Sequence, residues 1–92
     1  MKVHVQEFAD GRHYRFYCPG CGHDHAFDAR WAFDGDLESP TFTPSLLVNA
    51  DRGEERELVR CHSFVTAGRI VYLDDCTHDL AGRTVEMEEV EA

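Results

Sequence analysis

Two cysteines separated by a proline and a glycine constrain this chain more than any other feature. The segment CPGCG at residues 18–22 is a CxxC knuckle, whose two sulfurs can converge on one metal ion. Proline and glycine permit the tight turn that points backbone amides at the thiolates. Two further cysteines lie far along the sequence. The pattern predicts a Zn²⁺ ion in a closed tetrahedral shell, the geometry of a structural site, with the ligands Cys18, Cys21, Cys61 and Cys76.

The length of the chain favours such a metal. Its 92 residues predict a single domain spanning 1–92, which buries a modest fraction of its surface and therefore has a thin core. Small domains often need a metal, disulfides or a partner to stay folded. The sequence contains no signal-peptide core and no stretch of transmembrane length, which predicts a cytosolic protein. Thiols stay reduced there, so metal ligands are favoured over disulfides.

The charge balance restricts the partners. Nine Lys and Arg stand against 18 Asp and Glu, a formal net charge of −9. Binding to nucleic acid depends on Lys and Arg that displace counterions from phosphates, so direct binding to nucleic acid or to an anionic membrane is not expected. A protein with a basic surface is the partner that this charge favours, although acidity also keeps a protein soluble.

Short alternating runs separated by turn signals predict an all-β fold. We expect a small zinc-stapled antiparallel sandwich or barrel with a zinc-ribbon-like knuckle. The runs on either side of Asp10-Gly11 predict a hairpin in which Val5 faces Phe16. Clean alternation over 27–33 predicts one strand, and the proline-rich run 40–44 predicts an edge strand or an extended crossing.

A second predicted hairpin brings the distant cysteines together. Its turn is Ala67-Gly68, and in the resulting register Cys61 and Cys76 are diagonal neighbours on one face, roughly 7 Å apart at the backbone. His62 then points to the opposite face, because side chains alternate along a strand.

Several histidines near the cysteines leave the ligand set open. His78 follows Cys76 by two residues and is the best substitute ligand. His62, His25 and His23 can support the shell by hydrogen bonding to thiolates, or can form a second metal site. In the alternative without a metal, the two later cysteines are ordinary buried residues or a disulfide.

Five motifs are spread over most of the chain: FYCPGC at 16–21, WAF at 31–33, SPTFTPS at 39–45, CHSFV at 61–65 and DCTHDLAG at 75–82. In this combination the chain resembles a family of small proteins encoded by phages and prophages. The resemblance implies a phage or prophage origin and a zinc-ribbon-like fold, and it implies no particular activity. Some members carry an ammonia monooxygenase label, but a closed thiolate site in so small a domain offers no place for that chemistry.

Together these features favour a non-enzymatic zinc-binding interaction module that binds a host protein. A sharper version is an acidic inhibitor that presents carboxylates to the basic groove of a nucleic-acid-binding or defence protein. One alternative is a small metal-dependent hydrolase or nuclease that uses His62, His78 and His25. Another is a structural or assembly component of a phage. The sequence shows no nucleophile elbow, P-loop or dinucleotide fingerprint.

Overall fold

A computed structural model describes residues 1–52 and 57–90, and the regular structure in these ranges is entirely β-strand. The described part of the chain thus contains no helix long and apolar enough to span a membrane. The strands, in chain order, are β1 (His4–Phe8), β2 (Gly11–Cys18), β3 (His23–Asp28), β4 (Ala32–Phe33), β5 (Phe42–Arg52), β6 (Glu57–Thr66), β7 (Arg69–Tyr72) and β8 (Thr84–Glu86).

The strands form two antiparallel sheets that share one core. The first sheet has the order β1-β2-β3, and the second has the order β4-β5-β6-β7-β8. Apolar side chains from both sheets belong to one buried cluster, which includes Val3, Tyr14, Phe16, Phe27, Phe42, Leu46, Val65, Ile70, Tyr72 and Met87. The prediction of an all-β antiparallel fold is confirmed.

An aromatic cluster joins the two sheets. Phe42 of β5 lies 5.1 Å from Tyr14 and 4.8 Å from Phe27, between ring centroids, and both partners belong to the first sheet. Each such ring pair contributes about 0.5–1.5 kcal/mol beyond its area burial. Phe42 therefore anchors the beginning of β5 in the core, immediately before the proline-containing segment 43–45.

The hairpin between β6 and β7 has the predicted register. Val65 opposes Ile70, Thr66 opposes Arg69, and Ala67-Gly68 forms the turn. Both turn residues have positive φ, 49° and 77°, as the favoured two-residue hairpin turn requires. The predicted turn and the pairing next to it are confirmed. The predicted continuation of this register to Cys76 is wrong, because β7 ends at Tyr72 and the chain then turns, with the Cys76 N–H donating to the Leu73 carbonyl.

The hairpin between β1 and β2 has a different register from the one predicted. Val5 opposes Tyr14 rather than Phe16, and Phe8 opposes Gly11. The turn is therefore one residue earlier, because Gly11 has a φ of 125° and the preceding aspartate does not share the positive φ that a turn centred on Asp10-Gly11 would need. The shift moves the pairing by two residues, so the predicted inward face is retained.

Two further strand predictions were wrong. The run 27–33 is not one strand, because Asp28 Oδ1 accepts the backbone N–H of Arg30 at 3.0 Å and ends β3 in a turn. The segment 40–44 is not an edge, because β5 begins at Phe42 and lies between β4 and β6. The pairing of β5 with β6 is irregular between Phe42 and Leu46, and this irregularity accommodates Pro44, which has no N–H to donate.

Candidate functional site

Three cysteines and a histidine meet between the two sheets. Cys18 ends β2, Cys21 lies in the turn that follows, and Cys61 comes from β6. One ligand atom from each of these residues and from His25 of β3 lies within 4.8 Å of the others. The Cys18 and Cys61 sulfurs are 3.9 Å apart, and all four cysteines of the chain are free thiols. This cluster, which we call the thiol cluster (Cys18, Cys21, His25 and Cys61), can hold a metal ion.

The knuckle is closed by its own backbone and by a close contact. The Gly22 N–H donates to the Cys18 carbonyl at 2.8 Å. A Cβ atom on Gly20 would overlap the His78 ring, so any side chain there would have to displace this imidazole of the loop that follows β7. The Tyr72 hydroxyl lies 3.1 Å from the Cys18 sulfur and ties the knuckle to β7.

The electrostatics of the thiol cluster favour one negative charge on Cys18. A hydrogen bond from the Cys61 thiol lowers the pKa of Cys18 to about 3. The same hydrogen bond raises the pKa of Cys61, and burial raises the pKa of Cys21 to about 11. Burial also raises the pKa of Tyr72, which keeps its hydroxyl protonated beside the thiolate. A buried thiolate surrounded by neutral thiols is a site at which a divalent cation can displace protons.

The second group near the cluster consists of Cys61, Cys76 and His78, whose ligand atoms also lie within 4.8 Å of one another. His78 Nε2 is 3.4 Å from the Cys61 sulfur. The Cys76 sulfur instead contacts the main chain of β6, since it accepts the His62 N–H at 3.3 Å and donates to the His62 carbonyl at 3.2 Å. Of the four predicted cysteine ligands, the structure thus groups three with His25 and places Cys76 beside Cys61 and His78.

On the opposite face of the same sheet, three side chains form a hydrogen-bonded chain. Ser45 Oγ lies 3.2 Å from His62 Nε2, and His62 Nδ1 lies 3.2 Å from Asp75 Oδ2. Both distances are within the reach expected of a nucleophile, its base and the group that orients the base. The arrangement is a Ser-His-Asp triad, a constellation that recurs on unrelated folds and is recognised by geometry.

The strand pairing explains why these residues meet. Leu47 directly opposes His62, so Ser45, two residues before Leu47, is a diagonal neighbour of His62 on the same face. Asp75 follows β7, where the chain turns through a hydrogen bond from the Cys76 N–H to the Leu73 carbonyl. Bulges often re-aim side chains next to active sites, and Ser45 ends the irregular segment of β5.

The triad lies on an open surface. The side chains of His62 and Asp75 are 25% and 41% exposed. Leu47 and Phe64, on the same face, are 51% and 43% exposed, although both are large and apolar. Beside the serine, Trp31 Nε1 donates to the Ser45 carbonyl at 3.3 Å. Arg30, Trp31 and Pro44 line an adjoining cavity of about 140 Å³.

The structure separates the histidines that the sequence had grouped. His25 and His78 face the cysteines, whereas His62 belongs to the triad on the other face, so these three imidazoles form no common site. His23 is exposed and its Nδ1 lies 3.0 Å from the Asp24 carbonyl. The nucleophile candidate, Ser45, was not singled out by sequence reasoning. Ser45 could have been found from the pairing of β5 with β6. Leu47 opposes His62, and side chains two residues apart in a strand share a face, so Ser45 lies on the same face as His62.

A family model described as "Bacterial ubiquitination-like system serine protease (BubE)" matches residues 1–73 of the chain. The matched range includes the thiol cluster, Ser45 and His62, and it ends two residues before Asp75. Searches of curated proteins and of solved structures found no match.

Proposed function

Because this chain belongs to the BubE family of bacterial ubiquitination-like system serine proteases, we propose that it is a serine protease with Ser45 as nucleophile, His62 as general base and Asp75 as the group that orients the base. The observation that carries the proposal is the continuous chain of two 3.2 Å contacts from hydroxyl to imidazole to carboxylate. The family description names this type of enzyme, and the geometry supplies the three parts that its chemistry needs.

The reaction follows from this geometry. His62 Nε2 takes the proton from Ser45 Oγ as the oxygen attacks the carbonyl carbon of a peptide bond. The imidazolium formed is stabilised by Asp75 and passes its proton to the leaving amine, so that the peptide C–N bond breaks and an acyl ester remains. A water molecule, deprotonated by the same imidazole, then hydrolyses the ester and restores the serine.

The surroundings of the triad suit a polypeptide substrate. The triad lies on an exposed sheet face rather than in a closed pocket, so an extended segment of another protein can reach it. The exposed side chains of Leu47 and Phe64 offer apolar contacts on either side of the serine and histidine. We propose that the substrate belongs to the bacterial ubiquitination-like system that the family description names.

Zn²⁺ is the proposed cofactor, with a structural role. Thiolate and imidazole ligands both suit zinc. The predicted set of Cys18, Cys21, Cys61 and Cys76 differs from the thiol cluster only in having Cys76 in place of His25. Cys61 and His62 are adjacent in β6 and therefore point to opposite faces, so the ion and the triad lie on opposite sides of the sheet. The ion would stabilise the fold without touching the substrate.

A non-enzymatic interaction module is the rival proposal. The net charge of −9 and the two exposed apolar side chains also suit a surface that binds a basic host protein in the cytosol. A phage or prophage origin is compatible with either role. The hydrogen-bonded triad favours the protease, since a binding surface has no need of a serine aligned with an imidazole and a carboxylate.

Covalent labelling tests the protease. A fluorophosphonate probe should add once per chain, at Ser45, and Ser45→Ala should abolish both labelling and hydrolysis of p-nitrophenyl acetate, lowering the rate by more than about 10³-fold. Ser39→Ala, which changes an exposed serine elsewhere, is the matched control and should react like the parent. A folded protein that is not labelled, or is labelled equally after Ser45→Ala, would refute the proposal and favour the interaction module.

A further inference from the structure

We propose that Cys18, Cys21, His25 and Cys61 are the metal ligands, and that Cys76 is a positioning residue that holds His62 and Asp75 of the triad in place. The first half concerns a metal site and stands independently. The second half rests on the proposed protease function and deepens it, because it makes the activity of a serine enzyme depend on a metal ion that never meets the substrate.

His25 supplies the fourth ligand of the proposed metal site. Its side chain is 5% exposed, and its Nε2 atom has no hydrogen-bond partner within the described part of the chain. Leaving a buried polar atom unpaired costs about 1–3 kcal/mol, so such an atom in a native protein needs a partner. His25 belongs to the same group of converging ligand atoms as Cys18, Cys21 and Cys61. A metal ion bound among them through Nε2 would satisfy this unpaired nitrogen, and three thiolates with one imidazole form a common zinc shell.

Cys76 has a different role because of its hydrogen bonds. Its sulfur accepts the N–H of His62 and donates to the carbonyl of the same residue. Its sulfur is thus directed at the main chain of β6, and Cys76 does not belong to the group of ligand atoms that converges around Cys18 and Cys21. The pair of contacts lies just beyond the end of β7, where the Leu73 N–H also donates to the His62 carbonyl at 2.9 Å. The Cys76 thiol therefore fixes the backbone of the triad histidine.

The metal site and the triad are connected because their residues are neighbours in the sequence. Cys61 precedes His62 in β6, and Asp75 precedes Cys76 in the loop after β7, so each pair supplies one residue to the inner face and one to the triad. The loop is also held by Thr77, whose N–H donates to the Arg60 carbonyl at 2.9 Å. Without the ion, β6 would no longer be held at Cys61. Because His62 is the next residue, a shift of Cys61 would also displace the imidazole of the triad.

Metal analysis tests the ligand assignment. His25→Ala should lower bound zinc from one equivalent to less than about 0.1 per folded chain by the loss of one of four ligands. Cys76→Ala should retain one equivalent. His23→Ala, which removes the exposed neighbour whose ring lies 5.3 Å from that of His25, is the matched control and should also retain it.

A second variant keeps the assignment testable if His25→Ala does not fold. His25→Cys should bind cobalt(II) with the absorption spectrum of a four-thiolate site, whereas the parent should show that of three thiolates and one nitrogen. A four-thiolate spectrum for the parent, or loss of metal from Cys76→Ala with metal retained by His25→Ala, would overturn the assignment and restore Cys76 as a ligand.

Kinetics test the positioning role. Cys76→Ala should lower kcat for p-nitrophenyl acetate about 10–100-fold with little change in KM, because a misplacement of about 1 Å in a catalytic group can cost 10²-fold. Cys76→Ser should recover part of kcat, since a hydroxyl can accept and donate the same two bonds. An unchanged kcat in Cys76→Ala, or a Cys76→Ser variant no better than Cys76→Ala, would overturn this role. If the parent itself shows no hydrolysis and no labelling, the protease proposal fails, while the zinc measurements still decide the ligand assignment.

Discussion

Replacing Asp75 by asparagine isolates the contribution of the triad carboxylate. During the reaction His62 becomes an imidazolium, and its Nδ1 lies 3.2 Å from Asp75 Oδ2. Two unit charges at that separation attract by about 5 kcal/mol at an effective dielectric constant of 20 and by about 1 kcal/mol in bulk water. The Asp75 side chain is 41% exposed, so we expect a value between these limits, about 2–3 kcal/mol, or a 30–150-fold loss of kcat.

The hydrogen-bonding chemistry of asparagine sharpens this prediction. An amide N–H directed at Nδ1 would stabilise the tautomer in which Nε2 carries the proton and cannot accept one from Ser45. Asp75→Ala leaves room for water, which can accept from Nδ1, and should therefore be less damaging than Asp75→Asn. Stability should change by less than about 0.5 kcal/mol in both variants, because the side chain lies at the surface.

The assay is the rate of fluorophosphonate labelling together with steady-state hydrolysis of p-nitrophenyl acetate. Asp74→Asn is the matched control, since it removes the same charge from an exposed neighbour in the same loop. A loss of less than twofold in Asp75→Asn, or an equal loss in Asp74→Asn, would show that the 3.2 Å contact has no part in catalysis and that the constellation is only a surface hydrogen-bond network.

Three further predictions concern the frame around the site. A strong chelator should lower both the Tm and the activity of the parent, because structural zinc is coupled to folding, and an unchanged melting curve would exclude that coupling. Gly20→Ala should lower the Tm by about 4–16 °C, the effect of about 1–2 kcal/mol in a domain of this size, since its Cβ would displace the His78 ring; an unchanged Tm would contradict the close packing. Leu47→Ser and Phe64→Ser should leave the Tm within a few degrees but raise KM for a peptide substrate, and a fall in Tm with unchanged KM would mean that both side chains serve the fold.

Much of the fold follows from local sequence signals. Alternation and turn residues were sufficient for the all-β architecture and for the β6–β7 hairpin, whose Ala67-Gly68 turn has the backbone angles that its residues favour. Where the prediction failed, a single residue overrode the pattern. The Asp28 side chain ended a strand by bonding to the backbone of Arg30, and the turn between β1 and β2 left Gly11 at the first position of a strand. The choice between continuing a strand and forming a turn depends on free-energy differences of tenths of a kcal/mol, and the hydrophobic periodicity of a sequence does not reveal them.

The functional site was predictable in part. Cysteine spacing, together with hairpin parity, indicated that the knuckle and Cys61 would meet and that His62 would face away from them, and the structure brings them together in this way. Predicting the triad would have required knowing that β5 pairs with β6, a contact between segments that are distant in the sequence. Ser45 follows Pro44, directly after the run 40–44 that was predicted as an edge strand or an extended crossing, so nothing local indicated that it would be a neighbour of His62.

The alternation of Cys61-His62 and Asp75-Cys76 has a consequence for how such a gene can change. Deleting or inserting one codon in β6 before Cys61 would reverse the direction of every later side chain in the strand, so that the Cys61 sulfur would turn toward solvent and the His62 imidazole toward the interior. Both centres would be lost in the same mutational step. Point substitutions can remove the metal site or the triad separately, but a change of register removes both. A laboratory graft of the triad onto another sheet would also need the cysteines of the inner face.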